Sequence, residues 1–185
     1  MREIEIKLRV GDLGTVEQKL KERGCVLSAP IRQEDVIYSR GGSTEEFEHA
    51  KEGDVIMRIR RMEGTAQFNL KQQRSSEMDN LEYETEVQDP EAIHAILLAI
   101  GYEPEVEVKK VRKKGKLGND EICLDEVEKL GSFVELERLT SDDADPKKVR
   151  EELFRALESL GLSRSDEETR GYDTQIYQLD HNTIT

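Results

Sequence analysis

The stretch Glu3-Ile4-Glu5-Ile6-Lys7-Leu8-Arg9-Val10 alternates apolar and charged residues without a break. Successive strand side chains point to opposite faces, so Ile4, Ile6, Leu8 and Val10 share one face and Glu3, Glu5, Lys7 and Arg9 the other. The apolar face requires a core. The charged face is ordinary if solvated, but in an enclosed space two carboxylates beside two cations suit a metal ion held next to a polyanion.

Working outward, similar strand patterns recur at 33–38, 55–61, 66–73, 81–87, 106–113, 122–127 and 133–139. Three amphipathic helices accompany them, two between strands and one after the last, each started by an aspartate and stopped by a glycine. The first runs from Asp12 to Gly24 with Leu13, Val16 and Leu20 as its stripe. The second opens at Asp89-Pro90, places Ile93, Ile96, Leu97 and Ile100 on the buried side, and ends at Gly101. The third opens at Asp145-Pro146, buries Val149, Leu153, Ala156, Leu157 and Leu160, and ends at Gly161. Residues 39–54 read as a mobile polar loop, 74–80 as a second loop and 113–120 as a basic hairpin turn. Past Ser163 the tail is polar except at Tyr172, Ile176, Tyr177 and Leu179, the spacing of a short docking helix. Glu3-Ile4-Glu5, Glu82-Tyr83-Glu84 and Glu135-Leu136-Glu137 repeat a Glu-x-Glu strand followed by a helix, a weak internal repeat.

With 185 residues the chain supports one sizeable domain, expected over 1–179 with a short tail at 180–185. A net charge of −13 argues against nucleic acid or an anionic membrane as partner, so an anionic ligand must be met by a local cluster of cations. Cys25 and Cys123 are in no metal-ligand spacing, and no apolar run reaches membrane-spanning length; a reducing cytoplasm is the expected location. His49, His94 and His181 are scattered, which disfavours a histidine-based relay or metal site.

If the helices cover the apolar strand faces, the charged faces are left together, either on one open side of a sheet or lining a barrel. That set includes Glu3, Glu5, Lys7, Arg58, Arg60, Lys71, Glu82, Glu84, Lys110, Arg112, Asp125, Glu135 and Glu137. Taken singly, each pair is what a solvated strand carries. The accumulation is the signal: carboxylates on the first and last strands suit hard divalent cations, and cations on the middle strands suit phosphate oxygens. No glycine-rich phosphate loop is present, which disfavours an ordinary mononucleotide fold.

Glu3-x-Glu5-x-Lys7 resembles the signature of the CYTH, or triphosphate tunnel metalloenzyme, superfamily. Further along, Gln33-x-Asp35, Arg58-Ile59-Arg60-Arg61, Leu70-Lys71, Lys110-Val111-Arg112, Leu124-Asp125-Glu126-Val127 and the block from Leu130 to Glu137 are similar to its later strands, in order. The resemblance implies an α+β fold with a closed antiparallel eight-stranded β-barrel, helices outside, whose lumen takes a triphosphate with Mg²⁺ or Mn²⁺. Carried over by position, Glu3, Glu5, Asp125, Glu135 and Glu137 would be metal ligands, and Lys7, Arg58, Arg60, Lys71, Lys110 and Arg112 would bind phosphates; Glu5 and Lys7 are the expected catalytic pair. Ile37-Tyr38 and Gly171-Tyr172 depart from the family's aromatic pair and Ser-Tyr, which bears on nucleoside recognition and tunnel closure.

The implied activity is class IV adenylyl cyclase-like, ATP giving cyclic AMP and pyrophosphate. Hydrolysis of tripolyphosphate or thiamine triphosphate is the alternative, and a non-catalytic polyphosphate- or nucleotide-binding module a further one. An acidic interaction domain with its charged faces outside is a rival of another class. A homodimer is among the assemblies that the resemblance allows.

Overall fold

The computed structural model describes residues 1–41, 47 and 49–182. Eight antiparallel strands close on themselves: β1 (Arg2–Arg9), β2 (Ile31–Arg40), β3 (Val55–Met62), β4 (Thr65–Ser76), β5 (Asp79–Glu86), β6 (Tyr102–Leu117), β7 (Asp120–Val127) and β8 (Gly131–Thr140). Around the barrel their order is β1-β5-β4-β3-β2-β6-β7-β8, and β8 returns to β1. The first and last strands therefore become neighbours, with Glu5 opposite Glu137 and Lys7 opposite Glu135. The three Glu-x-Glu strands thus lie side by side, β1 between β5 and β8.

Helices α1 (Leu13–Glu22), α2 (Pro90–Ala99) and α3 (Pro146–Ser159) lie outside, whereas α4 (Tyr172–Asn182) packs on Ile37, Val106, Val108, Val127 and Phe133, which have the inward strand parity, and its first turn lines the lumen. Asp12, Asp89 and Asp145 cap the first three with their carboxylates, as the sequence indicates. The main core is outside the barrel too. Ile4, Ile6 and Leu8 of β1 pack with Ile122 and Leu124 of β7 and Val134 and Leu136 of β8, beneath Val16 and Leu20 of α1 and Leu153, Phe154 and Leu157 of α3.

Several local expectations change. Residues 74–80 form no extended loop: β4 runs to Ser76, β5 starts at Asp79, and Ser76 pairs with Asp79. The basic stretch 113–120 is mostly strand, with β6 extending to Leu117 and the turn confined to Gly118 and Asn119. Gly115 marks a close approach within the strand, since a Cβ there would meet Leu27, Cys25 and the Val26 carbonyl oxygen at 2.8–2.9 Å. On α2 only Leu97 is buried, against Tyr38 and Ile59, while Ile96 and Ile100 are 54% and 58% exposed. A lone short helix on a curved barrel contacts the strands along one edge. The mobility expected of 39–54 concerns a segment of which 42–46 and 48 lie outside the described residues. Ser39 and Arg40 belong to β2, and Phe47 is buried against α4.

Candidate active site

Because strand side chains alternate, turning the apolar faces outward leaves the charged ones in the lumen. A cavity of about 390 Å³ is lined by Glu3, Glu5, Lys7, Arg58, Arg60, Lys71, Lys110, Arg112, Glu135 and Glu137 among others, so ten of the eleven sequence-predicted site residues converge on it. This overturns the acidic interaction domain with outward charges. The size is within the usual range for a small-ligand site.

The carboxylates divide by partner. Glu5, Glu135 and Glu137 can each place an oxygen within 4.8 Å of the others. Burial, then Glu135, pushes Glu5 up to about 7, and burial also raises Glu137 despite Arg112. In Glu135 burial acts the same way, but Arg112, Lys110 and Lys7 outweigh it and hold the carboxyl well below its usual range. Three clustered carboxylates, two of them short of compensating charge, suit a hard divalent cation. Glu3 stands at the edge of this group, 3.4 Å from the Lys71 ammonium.

Asp125 is elsewhere. It is fully buried, accepts from Arg112 Nε at 2.7 Å, pairs with Lys110 at 3.3 Å, and takes the Tyr172 hydroxyl at 3.1 Å. Its oxygens hold cations in place and are not brought into the triad. Asp35 plays the same part on β2, accepting two 2.7 Å bonds from Arg60 and facing Arg58 at 3.4 Å. The signs are therefore not cleanly segregated by strand. Asp35 and Glu82 interleave with the cations, because so many buried ammonium and guanidinium groups need counter-charge. Glu82, inward as its Glu-x-Glu pattern allows, sits 3.5 Å from Lys71 and 3.6 Å from Arg58, which outweigh burial and hold it down at about 2. Glu84 lines the cavity; Glu86 is exposed and does not.

Arg112 is the hub of the basic side, joined to Asp125, Glu135 and, at 3.4 Å, Glu137. Lys7 is the exception. Only 1% exposed, it forms no ion pair among the described residues, and its ammonium lies 4.4 Å from the Tyr172 ring centroid. Arg58 Nε is likewise buried without a partner among the described residues. These are donors awaiting an acceptor. The sequence reading did not single out Glu77, which lies on the tight β4–β5 connection and accepts from Gly171 N at 2.7 Å and Thr174 Oγ1 at 2.9 Å. It carries no periodicity signal there. For Asp35, the strand parity shared with Gln33 and Ile37 was such a signal.

The raised Glu5 carboxyl has a measurable consequence. Its folded-state value of about 7 lies above the ordinary 4.5, so the folded chain binds more protons, and this group's contribution to stability falls as pH rises from about 4.5 to about 7. Glu5→Gln removes that penalty. The melting-temperature difference, variant minus wild type, is expected to grow across this window in metal-free buffer; a difference independent of pH contradicts the assignment.

The CYTH domain sequence profile matches residues 1–172. The chain is 30% identical to the Methanocaldococcus jannaschii protein named "Putative adenylate cyclase MJ0240" over 168 residues, 90% of this chain and 93% of the relative. Adenylate cyclase CyaB of Aeromonas hydrophila is 28% identical over 177 residues, 95% and 89% of the two chains. Among solved structures, the PH1012 protein of Pyrococcus horikoshii superposes with a TM-score of 0.78 at 27% identity, covering 94% of this chain and 98% of that one. Profile, relatives and closed charged barrel agree: the chain belongs to the CYTH domain family.

Proposed function

We propose that this protein is a metal-dependent enzyme acting on a triphosphate held in the barrel lumen, with an adenylyl cyclase-like reaction as the first reading. The observation that carries it is the placement of the Glu5–Glu135–Glu137 cluster in the same cavity as the Lys7 ammonium, which forms no ion pair among the described residues. Glu5, Glu135 and Glu137 would hold Mg²⁺ or Mn²⁺. A bound divalent ion supplies positive charge to the phosphates and acidifies an attacking hydroxyl.

The chain's own groups do the rest. Lys7 and Arg58 Nε donate to phosphate oxygens; Lys71 and Arg60 add positive potential along the wall; Arg112 and Lys110, anchored on Asp125, hold Glu135 ionised. Asp125 thus serves as an anchor in this reading, and Glu3 as a partner of Lys71. Burial of Lys7, Arg60, Lys110, Arg112 and Glu135 strengthens these interactions. Attack by a ribose 3′-oxygen on the α-phosphorus, with loss of that hydroxyl's proton, expels pyrophosphate and gives cyclic AMP. The relatives' names support this choice.

Triphosphate hydrolysis is the second reading, and one feature favours it. Among the described lining residues Tyr172 is the one aromatic, and two lysines occupy its face, so no ring there is free to stack on a base. Incubating the protein and Mg²⁺ or Mn²⁺ with ATP, tripolyphosphate or thiamine triphosphate separates the cases. Cyclic AMP with pyrophosphate supports the cyclase, orthophosphate the hydrolase. Metal-dependent thermal stabilisation without product supports a binding module. Absence of both product and stabilisation overturns the tunnel reading itself.

A further inference from the structure

We propose that Tyr172 is a positioning residue whose aromatic face, in place of a carboxylate, holds Lys7 ready for an anionic ligand, with Lys110 over the same ring. The inference rests on the lumen being a triphosphate site and specifies how its free cation is kept available. The Lys7 and Lys110 ammonium nitrogens lie 4.4 Å and 4.9 Å from the Tyr172 ring centroid. The hydroxyl of the same ring donates to Asp125 Oδ2 at 3.1 Å, and its edge packs on Phe133, 5.1 Å between centroids.

The remaining cations assigned to this lumen each face a carboxylate: Arg58 and Arg60 face Asp35, Lys71 faces Glu3 and Glu82, and Lys110 and Arg112 face Asp125. A carboxylate on Lys7 would occupy its N–H donors and cancel its charge, and phosphate would have to displace it. A π-face attracts an ammonium through its quadrupole, leaves the N–H donors that point away from the ring available, and adds no net negative charge. It stabilises a buried cation while leaving it hungry for an oxyanion.

The backbone fixes the ring. Tyr172 opens α4, and Glu77 pins that start through Gly171 N and Thr174 Oγ1. The aromatic platform is therefore supplied by the helix packed into the barrel's inward-facing apolar residues, while the lysines come from barrel strands β1 and β6.

Calorimetric titration with tripolyphosphate in Mg²⁺ tests this on the full chain. Tyr172→Leu is expected to weaken binding by about 5–30-fold, the span of a desolvated cation–π contact, and Tyr172→Phe, which keeps the ring, by markedly less. Replacement at position 172 by mono-, di- and trifluorinated phenylalanine, which preserves shape, is expected to lower log affinity in step with fluorine count. Equal losses for Leu and Phe, or a flat fluorination series, overturn the assignment, and the series decides even if the Leu variant fails to fold. Absence of tripolyphosphate binding by the wild type would instead overturn the triphosphate reading on which this rests.

Discussion

Arg112→Ala is expected to cost the barrel about 3–5 kcal/mol of folding stability, the penalty for removing one partner from a buried charge network. Its side chain is 6% exposed and joins three carboxylates, Asp125, Glu135 and Glu137, none of which has another guanidinium partner among the described residues. Left alone, these groups must either protonate or pull water and Lys110 toward them. The companion variant Lys21→Ala breaks an exposed i,i+4 pair with Glu17 and is expected to cost no more than about 0.5 kcal/mol. Urea titrations read both. Similar midpoints for the two variants would mean that the lumen solvates its charges well enough to need no hub.

Lys7→Met is expected to do the opposite. Its ammonium is buried and lacks a carboxylate partner among the described residues, so replacing it with an apolar side chain of similar length should leave the melting temperature unchanged or raise it. Turnover of the triphosphate substrate should fall by on the order of 10²–10³-fold, the usual loss when one preorganised donor to developing charge is removed. Such opposed responses of stability and activity mark a group retained for chemistry. A variant that keeps wild-type kcat/KM would remove Lys7 from the site, and one that unfolds would show it to be structural.

Much of this arrangement was legible in the residues because a strand has a period of two. Once Ile4, Ile6 and Leu8 require a core, Glu3, Glu5 and Lys7 must face the other way, and the same parity brings Arg58, Arg60, Lys71, Lys110, Arg112, Glu135 and Glu137 inward. Parity cannot say whether the second face is open or enclosed; that followed from a resemblance and from closure of β8 on β1. Nor does it give distances around the barrel. Asp125 has the inward parity of a ligand but lies beside Arg112, since cross-strand neighbours, unknown before the strand order, decide its partner. The platform at Tyr172 was hidden for a related reason. It joins a helix near the chain's end to strands far earlier in the sequence, and the short apolar tail spacing announced a docking helix without saying what it docks on.

Crystals grown with Mn²⁺ and a non-hydrolysable triphosphate, with diffraction recorded at the manganese edge, locate the ion and the phosphates independently. Triphosphate binding in the lumen predicts an anomalous peak in reach of Glu5, Glu135 and Glu137, and phosphate density in contact with Lys7 and Arg58. Manganese bound only on the outer surface, with a lumen that excludes both ion and phosphates under saturating conditions, would contradict it.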